Sequence, residues 1–206
     1  MIDWAKIEET DRVGGGYRAL PSGGYVCTIT KASFETTKKG KPALVILWDV
    51  AEGDCKGFFE DEFYANKPFK HNDYILLDKP TGILKHKVNQ LDKSNDGLRC
   101  AEAAGVILDR DESQERRRKA VSYLQESLVG KSIGLVLQER KYTYNGRDQS
   151  EWSITDYVTP EDVRAGRFDV PDTIDDREAA GDARGTQAVA SDAPAPIEVA
   201  DDDIPF

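Results

Sequence analysis

The 206 residues are 39% hydrophobic and carry a net charge of −10, enough apolar content for one core but with part of the chain left outside it. The charge is uneven, because residues 171–206 hold ten acidic and two basic groups, a net of −8, and residues 1–170 only −2. No stretch approaches the roughly 18 apolar residues of a membrane span, and the start, MIDWAKIEETDRVGGG, lacks the charged opening and apolar middle of a signal peptide.

Residues 1–20 are polar and contain Gly14-Gly15-Gly16, which predicts a flexible leading segment. GGYVCTITKASFE is rich in aromatic and β-branched residues and reads as a strand. The basic turn TTKKGKP follows, then ALVILWDV, a strand apolar enough to be buried on both faces. EGDCKG makes the next turn, and the loose alternation of FFEDEFYA predicts a third strand, completing a meander. In TGILKHKVNQLDKSN, Ile83, Leu84, Val88 and Leu91 recur at helical spacing. A second helix is expected in SQERRRKAVSYLQESLVG, with Ser113 as N-cap and Gly130 beyond its end. KSIGLVLQERKYTY and SEWSITDYV are strands, and Asn145-Gly146 between them is a strong hairpin signal, since both residues tolerate positive φ. TPEDVRAG is a short capped helical turn. From residue 172 the composition turns to Ala, Asp, Gly and Pro, which predicts a disordered acidic tail over 172–206.

Catalytic signals are weak throughout. His71 and His86 lie in different predicted elements, and Glu60-Asp61-Glu62 would alternate faces on a strand instead of converging on a metal. DRDESQ begins like a calcium loop, but Gln114 and Ala120 stand where glycine and glutamate are needed. Phosphate-binding glycine loops and nucleophile elbows are absent. The sequence therefore predicts no enzyme, no cofactor and no metal. Cys27, Cys55 and Cys100, odd in number and without a C-x-x-C pair, read as reduced thiols of a cytoplasmic protein.

Aromatic and basic residues instead interleave in three places. The turn supplies Lys38, Lys39 and Lys41; FYANKPFKHNDY supplies Phe63, Tyr64, Lys67, Phe69, Lys70 and Tyr74; ERKYTYNGRDQSEW supplies Arg140, Lys141, Tyr142, Tyr144, Arg147 and Trp152. Single-stranded nucleic acid is held by this mixture, cations following the phosphates and rings stacking on bases. Tyr142 and Tyr144, two apart on a strand, project from one face. Core packing is the competing role for such aromatics, and a solvated helix face is the competing role for ERRRK at 115–119.

The tip DDDIPF is similar to the acidic C-terminal tip of bacterial single-stranded DNA-binding proteins. The body resembles a family of phage and prophage proteins presumed to bind single-stranded DNA. The similar segments are LPSGGYVCTITKASFETTKKGKPALVILWDVAEGDCKGFF, LKHKVNQLDKSNDGL, LVGKSIGLVLQERKYTYNGRDQSEW and TPEDVRAGRFDVP, across about residues 20–171. The resemblance implies a mainly β fold with inserted helices: an OB-like five-stranded barrel over 21–171, a helical insertion near 109–128, and the tail. It further implies coating of single-stranded DNA during phage replication or recombination, in the host cytoplasm. On the same resemblance Asp201, Asp202, Asp203, Ile204, Pro205 and Phe206 would dock on replication, recombination or repair proteins such as a polymerase, helicase, primase or nuclease. Self-association as a homodimer stays open. The rival readings are a decoy that occupies those partners' pockets without binding DNA, and a replication enzyme that carries a docking tail.

Overall fold

A computed structural model of the protein describes residues 20–60, 67 and 70–177. The expected flexible leader up to residue 19, Asp61, Glu62, Phe63, Tyr64, Phe69 and the expected disordered tail from residue 178 through the tip 201–206 lie outside the described residues. Strand β1 (Gly23–Thr36) pairs antiparallel with β2 (Pro42–Val50), from Cys27 opposite Val50 to Thr36 opposite Pro42. The register shifts between Ile29 and Lys31. Such a bulge bends and twists a strand, and β1 lies between two partners. Gly23–Thr28 pair with β4 (Ser132–Tyr144), while the later part pairs with β2. β3 (Asn72–Leu76) adds to the free edge of β2, and β5 (Arg147–Val158) to β4, in the order β3-β2-β1-β4-β5.

This antiparallel sheet curls into a nearly closed five-stranded barrel of the OB-like kind. Side chains bridge the gap between its edge strands β3 and β5. The Tyr157 hydroxyl donates to Asp73 Oδ2 at 2.7 Å, and Lys87 Nζ reaches the same oxygen at 2.5 Å. Near the other end Lys70 Nζ donates to Ser150 O at 2.9 Å and to the Tyr142 hydroxyl at 3.2 Å. Tyr157 is 1% exposed, and burial, then Asp73, holds its phenol well above the usual range.

The core takes Leu44, Ile46, Trp48 and Val50 from the inner face of β2, and Ile133, Leu135 and Leu137 from β4. The predicted third strand is corrected at its start, its residues 61–65 lying outside the described residues. Phe58–Glu60 form a single 3-10 turn, and β3 lies further on at NDYIL. A strand would send two consecutive residues to opposite faces, yet both Phe58 and Phe59 are buried. Their rings meet edge-on at 4.9 Å, and Phe59 meets Trp48 in the same way at 5.2 Å.

Between β3 and β4 lie three helices. α1 (Gly82–Ser94) starts at Thr81, whose Oγ1 accepts from Leu84 N, and buries Leu84, Val88 and Leu91. Ile83, assigned by periodicity to the same stripe, is 72% exposed. The insertion is longer than expected and double: α2 (Cys100–Leu108) and α3 (Gln114–Ser127). Ser113 caps α3 as predicted, while α2 is capped from a distance by Asp92, whose carboxylate accepts from Cys100 N and Ala101 N. No helix among the described residues is long and apolar enough to cross a membrane.

After β5, α4 (Pro160–Arg164) is held by a capping box between Thr159 and Asp162. The chain then crosses Gly24, where an added Cβ would stand 2.4 Å from the Phe168 ring. The predicted tail boundary is also corrected. Residues 172–177 belong to the domain, because β6 (Ile174–Asp175) pairs parallel with Arg140–Lys141 of β4 and Ser22 Oγ meets Thr173 Oγ1 at 2.9 Å. Leu20 is likewise domain, not leader: it is fully buried and its carbonyl accepts from the Trp152 indole at 2.7 Å.

Candidate nucleic-acid interface

The outer face of the β1–β2–β3 sheet is set by register. Lys31, Leu47 and Asn72 form one row across the strands, Ser33, Val45 and Tyr74 the next, and Glu35, Ala43 and Leu76 the third. Three rows of three strands span about 13 Å by about 10 Å at ordinary strand spacing. Ala43 and Val45 of β2 are buried on this face, and the apolar groups it offers are Leu76, 39% exposed, with Leu47 and Tyr74 half-buried. The Tyr74 hydroxyl stays protonated, its pKa raised by burial and then by Glu35. Lys31, Leu47 and Leu76 were missed by sequence reasoning, since only the strand register brings them beside Tyr74.

One end of this face carries the β1–β2 turn. Its backbone is tied by Thr37 N to Lys41 O and Gly40 N to Thr37 O, both at 2.8 Å, with Gly40 at φ 74. Only a residue without a side chain takes that φ cheaply, so Lys38 and Lys39 are held out on an ordered loop. Lys41 leans back to Asp78 at 3.2 Å. The other end carries Lys67, Lys70 and the β4–β5 hairpin. Asn145 and Gly146 turn it at φ 51 and 72, with Tyr144 opposite Arg147 and Tyr142 opposite Gln149. Tyr142 and Tyr144 do share a face; Tyr144 is 64% exposed, and Lys70 Nζ stands 5.5 Å from the Tyr142 ring centre.

Three sequence candidates drop out of this surface. Trp152 packs into the core, its ring edge-on to Phe58 at 5.3 Å and Phe59 at 5.5 Å. The guanidinium of Arg140 is taken up by Asp176 at 2.7 Å and Glu151 at 3.1 Å. Lys141 lies 3.5 Å from the buried Glu139 carboxylate, which also accepts from Ser150 Oγ at 2.9 Å. Aromatic and basic composition reads the same whether such groups face solvent or brace a hairpin, so local sequence could not separate them.

Other chemistry is not assembled. Among the described residues no group of three or more His, Cys, Asp or Glu is arranged to hold a metal ion. Cys27 and Cys100 are buried free thiols, raised in pKa first by burial and then by Asp49 and Asp92 respectively, so both stay protonated and unreactive. His71 donates Nδ1–H to Trp48 O, 2.7 Å away, stacks on Phe59 at 4.7 Å, and is lowered in pKa by burial. His86 meets Asp156 at 2.8 Å on the barrel's outside. No protein-family model matches the chain, and no curated protein matches it in sequence.

Proposed function

We propose that the barrel binds single-stranded DNA across the outer face of β1–β3 without strong sequence preference, and that the acidic tip 201–206 recruits a partner protein. The observation that carries the reading is the partly exposed apolar patch of Leu47, Tyr74 and Leu76, one from each of three successive rows, lying between a lysine turn at one end and a Lys/Tyr/Arg hairpin at the other. Lysines at the two ends displace counterions from the phosphates, and the centre offers π and apolar surface to bases of any identity. Tyr144 and Arg147, on the hairpin's arm, can close over a strand laid along the sheet. Glu35 is the acidic exception on this face, and it sets a repulsive limit on how closely a phosphate approaches Tyr74.

At the tip, Phe206 offers a ring for an apolar pocket, Pro205 restricts Ile204 to extended backbone, and the aspartates attract a basic partner surface. Labelled oligonucleotides titrated with the 206-residue chain test the first half. Binding that prefers single strands over duplex and weakens steeply with salt is expected. Absence of salt-sensitive binding to any single strand would overturn it and leave the decoy reading. RNA of the same sequence, run in parallel, sets the DNA preference. The tip is tested by pulldown from a phage-infected host with and without Phe206; capture that survives the deletion removes the docking role.

A further inference from the structure

The insertion helices carry a second surface that DNA binding does not use. α2 and α3 enclose an open cleft of about 330 Å³, at the lower end of the size range for small-ligand sites. Its floor is apolar: Ala103 and Val106 from α2, Ala120 and Tyr123 from α3. The Tyr123 hydroxyl is fixed by Arg99 N at 2.9 Å. Its rim is cationic, with Arg99, Arg116 and Lys119 against one lining carboxylate, Glu102. Each rim cation now pairs with an acid three or four positions away: Arg99 with the exposed Glu102 at 3.7 Å, Lys119 with the exposed Glu115 at 2.6 Å, and Arg116, itself exposed, with the partly buried Glu112 at 2.6 Å. Exposed pairs of that spacing contribute only about 0.3–0.5 kcal/mol, so a denser set of carboxylates can displace them.

The same chain carries a segment of matching chemistry. Asp201-Asp202-Asp203 joins three carboxylates to the apolar Ile204-Pro205-Phe206. Twenty-nine residues, 178–206, separate the last described position from the chain's final residue. A chain of that length has a root-mean-square span of about 30 Å, against a radius of gyration of about 15 Å for a domain of this size. The segment can therefore reach any face of its own domain.

We infer that the α2–α3 cleft is the docking site of this chain's own segment Asp201–Phe206. Phe206 and Ile204 fill the floor, and the aspartates take over Arg99, Arg116 and Lys119 from their helix partners. Tethering presents the segment at an effective concentration in the millimolar range. A segment–cleft Kd of about 100 µM then leaves about nine molecules in ten docked, and a partner that reads the tip must compete with the cleft about tenfold. The inference uses the tip and the insertion alone, so it stands or falls apart from DNA binding.

Amide NMR shifts of the full chain, without nucleic acid, test it. Replacing Phe206→Ala is expected to move the amides of residues 99–106 and 116–123, and Asp201→Asn/Asp202→Asn/Asp203→Asn to move the same set. Arg116→Glu/Lys119→Glu, at side chains 64% and 73% exposed, keeps the fold and should erase the response to Phe206→Ala. Shifts that appear on residues 31–47 and 72–76 instead, or nowhere in the domain, overturn the inference. So does a response that grows with protein concentration between 20 and 500 µM, which would assign the docking to a second copy.

Discussion

Tyr157→Phe is the sharpest probe of how the barrel holds its two edges together. The hydroxyl is the one atom lost; the ring stays packed, with Lys87 Nζ 5.1 Å from its centre. What disappears is a 2.7 Å hydrogen bond to Asp73, and bonds to a charged group contribute about 1.5–3 kcal/mol. Asp73 keeps its ion pair with Lys87, so the loss should sit near the lower figure. Asp73→Ala removes more, since it strands both a buried phenol and an amine only 18% exposed, a loss of about 3–5 kcal/mol. At about 2–4 °C per kcal/mol for a domain of this size, Tyr157→Phe lowers Tm by about 3–6 °C. Urea unfolding followed by circular dichroism gives the two single variants and the double. Because both act on one bond, the double variant should fall short of additivity by at least about 0.5 kcal/mol. Strict additivity, or a Tyr157→Phe variant as stable as the parent, would show that the β3–β5 gap is held by something else.

Tyr74→Ala should weaken binding of single-stranded DNA by about 5–150-fold, the range of one stacked base, while Tyr144→Ala at the exposed hairpin costs less; equal, negligible losses in a fluorescence titration would remove the sheet face from the interface. Lys38→Ala/Lys39→Ala is expected to flatten the plot of log affinity against log salt by about 1.4, near 0.7 for each phosphate contact on a single strand, and an unchanged slope would take the turn off the strand. His71 is lowered in pKa by burial, so the unfolded chain binds its proton first. Stability is therefore complete above about pH 6.5 and falls as pH drops below it. The gap in Tm between pH 7.5 and 5.5 should be smaller in His71→Gln than in the parent, and an equal gap refutes the assignment.

What the sequence foretold was local. The Asn145-Gly146 hairpin, the Ser113 cap and the short capped turn of TPEDVRAG rest on residues within a few positions of each other, and all three form. What escaped it was non-local. α2 has only nine residues, and its start is capped by Asp92 from the preceding helix, so no adjacent signal marks it. FFEDEFYA has the composition of a strand, but the two phenylalanines are drawn together into the aromatic core around Trp48 and Trp152. The candidate face was half visible: Tyr74 was noticed for its neighbours in sequence, whereas its neighbours in space, Val45, Leu47 and Leu76, come from register.

The corrected domain end changes how the tail must be tested. Composition put the boundary at residue 171, and a truncation there would remove Asp176 and Arg177 along with the tail. Asp176 is one of the two carboxylates on Arg140, its amide donates to Lys141 O at 2.8 Å, and Arg177 stands 3.5 Å from Asp148 on the hairpin. Cutting at 171 therefore releases a cation at the hairpin's base and unpairs β6 from β4. Any gain in DNA affinity would then mix release of Arg140 with relief from a competing acidic tail. Cutting after residue 177 keeps those contacts and removes a segment with seven acidic and one basic residue. If the tail competes for the groove, the shorter deletion alone tightens binding at low salt and loses the gain at high salt. If only the cut at 171 tightens it, the strap 172–177 was masking Arg140, and the tail's charge acts elsewhere.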